Sequence, residues 1–274
     1  MPGIIVVWQH TMKKKEEKEY FNTEWKDMKT ALKAYLETGD QDDLHKFRVE
    51  VKRLRAMLIL ADSAGNKSSL QKEFKPVRQI FKKAGDIRNA YINLKLAKEY
   101  KVEDDAFVID QNRQMEEAAN AFKLKGEKYT DKLKAAHKVI EDRIKPISDT
   151  HISQFYSEHL HLISNSLADL RFDDSLHECR KWIKILLYNY KLVEPSLQLK
   201  LNEGYLHNVQ CAIGDWHDNM LAKELFTANE LKDSALLARI NRKHTKLENT
   251  IRKLAPDFYS FATTTVEQMV EQLS

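Results

Sequence analysis

Residues 44–60 read LHKFRVEVKRLRAMLIL and predict a helix with two different faces. At about 100° per residue, an apolar stripe runs along one side. Beside it runs a cationic stripe, which contains His45, Arg48, Lys52 and Arg55. A surface helix normally mixes its cations with acids and turns them away from its apolar face. An acid-free cationic stripe that borders the buried face therefore predicts a helix that lines a basic groove.

A weaker copy of this stretch lies downstream at residues 176–191, which read LHECRKWIKILLYNYK. Both stretches follow the pattern L-H-x-x-R-x-x-x-K. The cations of the second copy fall on one line of the predicted helix, with an aromatic residue close to it. These residues are His177, Arg180, Lys184 and Lys191, with Tyr188 beside them.

Each copy is followed by a similar Gly-Asp segment. Gly85-Asp86 follows His45 after 40 residues, and Gly214-Asp215 follows His177 after 37 residues. Matching elements in matching order indicate an internal duplication. We therefore expect a single domain over residues 1–274 with an N-terminal half at 13–145 and a C-terminal half at 151–274. The joint is expected at residues 143–150, which contain Pro146.

The composition favours an all-α fold. The 274 residues include only 7 glycines and 5 prolines, and the net charge is +4. Neither a signal peptide nor an apolar stretch of membrane-spanning length is recognised, so a cytoplasmic location is expected. The two cysteines have no CxxC or zinc-finger neighbours and are expected to be reduced and buried. The apolar residues 4–8 are expected to form a terminal arm or a disordered leader.

Apolar periodicity predicts most of the helix boundaries. Pro76 and Gly126 are expected to interrupt longer helical tracts, and Gly39 and Asp40 or Asp42 to separate the first two helices. The predicted helical tracts are residues 13–38, 44–61, 70–100, 103–144, 151–170, 176–193, 197–227, 230–254 and 257–273.

Further cations follow Pro76. Arg78, Lys82 and Asn89 share one side of the predicted helix with Gly85. Glycine within a helix costs about 1 kcal/mol relative to alanine. Gly85 therefore predicts the close approach of another helix or of a ligand.

These motifs resemble those of the CHAD family, the conserved-histidine α-helical domain. The family's first helix carries a signature like H-x-x-R-x-x-x-[KR]-[KR]-x-R, which His45, Arg48, Lys52, Arg53 and Arg55 match here. Its Gly-Asp segments are matched by residues 85–89 (GDIRN) and 214–218 (GDWHD). The resemblance covers nearly the whole chain.

The resemblance implies two four-helix bundles related by a pseudo-twofold axis, with a basic cavity between them that binds inorganic polyphosphate. It also implies a binding module without catalysis of its own, associated with polyphosphate granules and with polyphosphate-metabolising enzymes as partners in trans. No cofactor, metal or membrane contact is expected. The remaining binding candidates are Arg78, Lys82, Arg88, His207 and His217.

The sequence departs from the family pattern in three places. Ile185 and Leu187 replace the arginines that match Arg53 and Arg55, and Asn89 replaces the usual acid. Binding is therefore expected to depend more on the first half. Arg53 lies about 80° from His45 in helical projection, so it is expected to face solvent or another neighbour.

Two other classes of function remain open. A nucleic-acid-binding protein would need exposed aromatics in its basic groove, and only Tyr188 lies near the stripes. A di-metal bundle enzyme could use Asp42-x-x-His45 and Asp174-x-x-His177 as ligand pairs. The neighbouring cations oppose a dication, and acids in a first helical turn are explained by the helix dipole.

Overall fold

The computed structural model describes residues 14–65, 69–102, 104–231 and 233–265, and these ranges are almost entirely α-helical. The expected all-α class is confirmed. Residues 4–8 lie outside the described part of the chain. The helices are α1 (Lys14–Thr38), α2 (Gln41–Ser63), α3 (Leu70–Glu73), α4 (Lys75–Glu99), α5 (Asp105–Lys123), α6 (Gly126–Arg143), α7 (Asp149–Ala168), α8 (Asp174–Val193), α9 (Glu203–Ala228), α10 (Ser234–Leu254) and α11 (Phe258–Ala262).

Local signals set the ends of several helices. Gly39 takes a left-handed backbone with φ of 76° and ends α1, and its N–H donates to the carbonyl of Tyr35 at 2.8 Å. The Asp40 carboxylate then accepts from the backbone N–H groups of Asp42 and Asp43 and caps α2. Pro76 lies in the first turn of α4, where its missing N–H leaves no bond unmade.

The first half closes a ring of four helices. α1 packs on α2, α2 on α4, α4 on α6, and α6 returns to α1, while α5 lies outside against α4. In the second half, α7, α8 and α9 pack in chain order, and the short α11 contacts both α7 and α9. α10 lies outside against α9. The second half therefore completes its bundle with a five-residue helix.

Two short strands were not expected from the sequence. β1 (Leu199–Leu201) and β2 (Thr263–Thr265) pair antiparallel, with Leu201 opposite Thr263. The expected helical tract at 197–227 is therefore wrong from residue 199 to residue 201, and the one at 257–273 is wrong from residue 263 to residue 265. In the second strand the physical reason is the run of three threonines, whose β-branched side chains favour an extended backbone.

The two halves share one core. A continuous cluster of buried apolar side chains extends from Phe21 in α1 to Ala262 in α11. The connection between α6 and α7 is part of this packing. Ile144 and Ile147 are buried, and the N–H of Ile147 donates to the Glu17 carboxylate at 2.8 Å. α2 and α8 are consequently fixed relative to each other.

Candidate anion-binding site

α2 and α8 pack against each other, and parts of their cationic stripes line one cavity, whereas His45, Arg48 and Lys191 do not line it. The buried Asn189 amide of α8 donates to the carbonyl of Ala56 in α2 at 3.0 Å. Beside this contact lies a cavity of about 360 Å³. Its lining includes six predicted site residues, which are Lys52, Arg55, His177, Arg180, Lys184 and Tyr188.

Lys52 shows how strongly positive charge is concentrated here. Solvent reaches this side chain, but surrounding protein atoms desolvate its ammonium. Desolvation, followed by repulsion from Lys184, Arg48 and Arg180, lowers the pKa of Lys52 to about 8. Burial and the adjacent Arg180 also lower the pKa of Lys184. Cations of both halves therefore share one electrostatic environment.

Arg48 of α2 and Arg180 of α8 make equivalent contacts, with α4 and α9 respectively. Arg48 donates from Nη1 to the carbonyl of Phe81 at 2.9 Å, and Arg180 donates from Nε to the carbonyl of Gln210 at 3.2 Å. Each acceptor lies four residues before a Gly-Asp glycine. A β-carbon on Gly85 would lie 2.9 Å from Arg48, so the close approach expected at this glycine is made by an arginine side chain.

The two predicted histidines also have equivalent neighbours. Burial, followed by repulsion from Arg88, lowers the pKa of His45. Burial, followed by repulsion from His217, lowers the pKa of His177. The rings of His177 and His217 stack with their centroids 4.1 Å apart. Arg88 Nη1 and His177 Nδ1 are buried without a hydrogen-bond partner among the described residues.

Acids enter the site from the facing helices. The stripes of α2 and α8 contain no acid, but Asp86 of α4 acts electrostatically on Arg48. Asp218 of α9 acts likewise on Lys52 and Lys184. The expectation that these cations have no acid to offset them is therefore wrong in part. Glu178 of α8 itself also lines the cavity and pairs with Lys181. The cations remain in excess of these three carboxylates.

Arg53 engages acids rather than the cavity. Its Nη1 lies 3.1 Å from Glu50 and 3.7 Å from Glu24. These ion pairs raise the pKa of Arg53, although burial opposes them. The structure thus places Arg53 on a different side of α2 from Arg55, as its helical angle predicts.

Four other candidates do not line the cavity. Arg78 is exposed and donates to the carbonyl of Gln71 at 3.2 Å, at the start of α4. Lys82 and Lys191 are exposed, and neither lines the cavity. His207 contacts the Cys211 sulfur at 3.4 Å, and that sulfur acts electrostatically on Lys184. The side chains of Lys82, Lys191 and Arg78 therefore stand outside the central cluster.

The cysteines are free, but only one of them is buried. Cys179 is buried on the apolar side of α8, whereas Cys211 is partly exposed beside His207. The expectation of two buried thiols is therefore wrong for Cys211. Its position on α9, three residues before Gly214, turns it towards the basic site.

The sequence did not identify the apolar part of the cavity. Trp182, Ile185 and Ile59 line it together with the cations. Trp182 lies about 160° from Lys184 in helical projection, so it is outside the stripe. Trp182 and Lys184 lie on different sides of α8, and both line one cavity only because α2 packs on α8.

Larger cavities lie elsewhere. One of about 680 Å³ is lined by α10 alone, with Arg242, Lys246 and Lys253. Another, of about 530 Å³, lies between α1 and α6 and contains none of the predicted residues. Its cations are Lys26, Lys29, Lys33 and Lys134, which are exposed. The smaller cavity is the better candidate because its cations come from both halves and perturb one another.

Two absences among the described residues bear on other functions. No group of three or more His, Cys, Asp and Glu side chains is arranged there to hold a metal ion. None of the described helices is both long and apolar enough to cross a membrane. The Asp-x-x-His pairs of α2 and α8 thus lack the further ligands that a di-metal site needs.

Comparison with known proteins settles the family. The family model for the CHAD domain matches residues 19–227. The chain belongs to the CHAD domain family. The crystal structure of the CHAD domain from the plant Ricinus communis is similar, with a TM-score of 0.62 at 15% sequence identity. That match covers 96% of this chain and 97% of the plant chain. No curated protein matches the chain.

Proposed function

We propose that this CHAD protein binds inorganic polyphosphate in the basic site between α2 and α8. The observation that carries the proposal is the cluster of Lys52, Arg48, Arg180 and Lys184, in which desolvation and then repulsion from the other three cations lower the pKa of Lys52 to about 8. A cluster of like charges at a fold-determined position is disfavoured unless a ligand neutralises it. A polyanion would remove this repulsion.

The chemistry of the lining fits a chain of phosphates. Arginine binds phosphate oxygens through two parallel N–H bonds, and lysine binds them as a point charge. Polyphosphate supplies about one negative charge per phosphate, so a chain that follows the site would neutralise several cations in turn.

The proposal is binding without chemical conversion. Enzymes that transfer phosphoryl groups generally use acidic side chains to hold metal ions against the phosphates. Asp86 and Asp218 lie on different helices of different halves, beside cations. We further propose a cytoplasmic protein that associates with polyphosphate granules and acts with polyphosphate-metabolising enzymes in trans, as the family resemblance implies.

Titration calorimetry with long-chain polyphosphate tests the proposal. Counterion release predicts that affinity falls about a hundredfold between 50 and 200 mM salt if five cations engage the chain. Replacing Arg48, Lys52 and Arg55 by alanine should lower the affinity at least about tenfold. The Arg180→Ala/Lys184→Ala variant should also weaken binding, and the ratio of the two losses measures whether the first half dominates.

A matched control comes from α1. Lys26, Lys29 and Lys33 have helical spacing like that of the site cations, but they lie in the cavity between α1 and α6. Their replacement by alanine should change the affinity by less than about threefold. Equal losses in the two triple variants would show non-specific attraction and would refute the site.

Nucleic acid is the alternative polyanion. Competition between polyphosphate and single-stranded or duplex DNA separates the two, since stacking of bases on aromatic side chains adds to nucleic-acid affinity. Displacement of polyphosphate by equimolar DNA phosphate would favour the alternative. Displacement only at a large excess of DNA supports polyphosphate.

A further inference from the structure

Inorganic polyphosphate leaves one wall of the cavity unused. The cations of the site share the cavity with apolar side chains from both helices, which are Ala56, Ile59, Trp182 and Ile185. A chain of phosphates has no apolar surface to place against them. Small-molecule sites commonly combine such a wall with a few oriented polar groups.

The apolar wall has a fixed aromatic component. Trp182 packs against His159 with ring centroids 4.0 Å apart and against Phe155 at 6.5 Å. These contacts from α7 hold the indole in place, while the side chain remains partly exposed and borders the cavity. A preformed aromatic surface beside cations suits a ligand that carries both a flat ring and negative charge.

The dimensions favour a small ligand. The cavity volume of about 360 Å³ lies within the range of small-molecule sites. Single-stranded nucleic acid is usually held by successive aromatic side chains along a groove. Here Trp182 and Tyr188 are the aromatic residues that line the cavity. Tyr188 lies with its ring 5.6 Å from the Lys184 ammonium, so it belongs to the charged end.

We propose that this cavity binds a nucleoside polyphosphate, an inference that rests on the proposed phosphate-binding function of the same cations. The phosphates lie on Lys52, Arg180 and Lys184. The base lies against Trp182 and Ile185. A CHAD protein of this kind would thus distinguish a nucleotide-bearing phosphate chain from an inorganic one.

The experiment compares ATP with inorganic tripolyphosphate by titration calorimetry on the full chain, without divalent metal. Both ligands carry three phosphates, and tripolyphosphate has one more ionisable oxygen, so tighter binding of ATP reports a contribution of the nucleoside that outweighs its smaller charge. Stacking of a base on an aromatic side chain predicts that ATP binds about five- to a hundredfold more tightly. Trp182→Ala should reduce this ratio to about one, and Trp182→Phe should keep part of it.

Fluorescence gives a second readout that needs no change in the cavity. Trp25 and Trp216 are 2% and 1% exposed and are shielded from the ligand. In a Trp8→Phe background, ATP should therefore quench Trp182, whereas tripolyphosphate should not. Melting curves of each variant establish that it is folded.

The outcomes separate this inference from the proposed function. Binding of long polyphosphate with equal affinities for ATP and tripolyphosphate would overturn the nucleotide site alone. If wild-type protein binds neither long polyphosphate nor ATP, both proposals are overturned. Tighter binding of an oligonucleotide than of ATP, with the same dependence on Trp182, would replace the mononucleotide by nucleic acid.

Discussion

The guanidinium of Arg180 lies against Gly214 so closely that a β-carbon there would come within 2.8 Å of its Nε. The Nη1 of Arg48 stands 2.9 Å from the corresponding position on Gly85. Both glycines are buried within helices and need no special backbone conformation. Each glycine is explained instead by the arginine side chain that lies against it. The Gly-Asp segments thus position the arginines of the basic stripes.

Alanine at these glycines should therefore affect binding more than folding. Gly85→Ala and Gly214→Ala would each displace an arginine and weaken its bond to a backbone carbonyl, which is worth about 1 kcal/mol. The gain in helix propensity is of similar size, so the melting temperature should change by less than about 3 °C. Polyphosphate affinity should fall about three- to tenfold in calorimetry.

Gly204 provides the control for this prediction. It lies in the first turn of α9, and a β-carbon there would meet the Asn202 side chain at an ordinary 3.6 Å. Gly204→Ala should leave the affinity unchanged. If Gly85→Ala and Gly214→Ala bind as wild type does, the arginine positions are not important for the ligand.

Arg53 and Arg55 are two residues apart and should behave differently. Arg55 lines the cavity and makes no ion pair with the described residues, so Arg55→Ala should lower polyphosphate affinity about three- to tenfold. Arg53→Ala should cost less affinity. It should instead lower the melting temperature by about 2–4 °C, because it leaves Glu24 and Glu50 without their cation.

The two variants together test which of these arginines contacts the ligand and which stabilises the fold. Calorimetry and thermal melting are measured on the same preparations at one salt concentration. A larger loss of affinity in Arg53→Ala than in Arg55→Ala would reverse the assignment of the two side chains.

Polyphosphate binding should take up protons near pH 8. The pKa of Lys52 is about 8, lowered first by desolvation and then by Lys184, Arg48 and Arg180, while Asp218 opposes the shift. A bound polyanion would raise this pKa, so the ammonium that is partly deprotonated in free protein becomes fully protonated. The expected uptake from Lys52 is about half a proton at pH 8.

Calorimetry in buffers of different ionisation enthalpy measures this uptake. Affinity should fall as the pH rises from 7 to 9, since free Lys52 loses its charge in that interval. Lys52→Met should reduce the uptake and flatten the pH dependence, whereas Lys26→Met should change neither. Proton uptake that is the same in Lys52→Met and wild type would contradict the role of Lys52.

Much of the fold could be predicted because its signals are local. The apolar side of α2, the left-handed Gly39 and the cap at Asp40 depend on residues within one or two turns. Helical angles also separated Arg53 from Arg55 correctly. Such signals require no knowledge of which helices meet.

The composition of the site depends on contacts between distant helices. Trp182 reaches the cavity only because α2 packs on α8, and Asp218 approaches Lys52 from α9. The residue pattern within one helix does not determine which other helices it contacts. The strand at Thr263–Thr265 was missed for a related reason, since Thr263 pairs with Leu201, which lies 62 residues earlier.

Two acids should make the protein less stable as the pH rises. Burial raises the pKa of Glu17 and of Glu24 to about 7. Each carboxyl binds a proton more tightly in folded than in unfolded protein, so its contribution to stability is lost between about pH 4.5 and 7. The melting temperature of the Glu17→Gln/Glu24→Gln variant minus that of wild type should therefore be about 2–5 °C higher at pH 8 than at pH 5. Glu19→Gln, at an exposed position, should show no such difference. Equal shifts of the double variant at both pH values would contradict the raised pKa values.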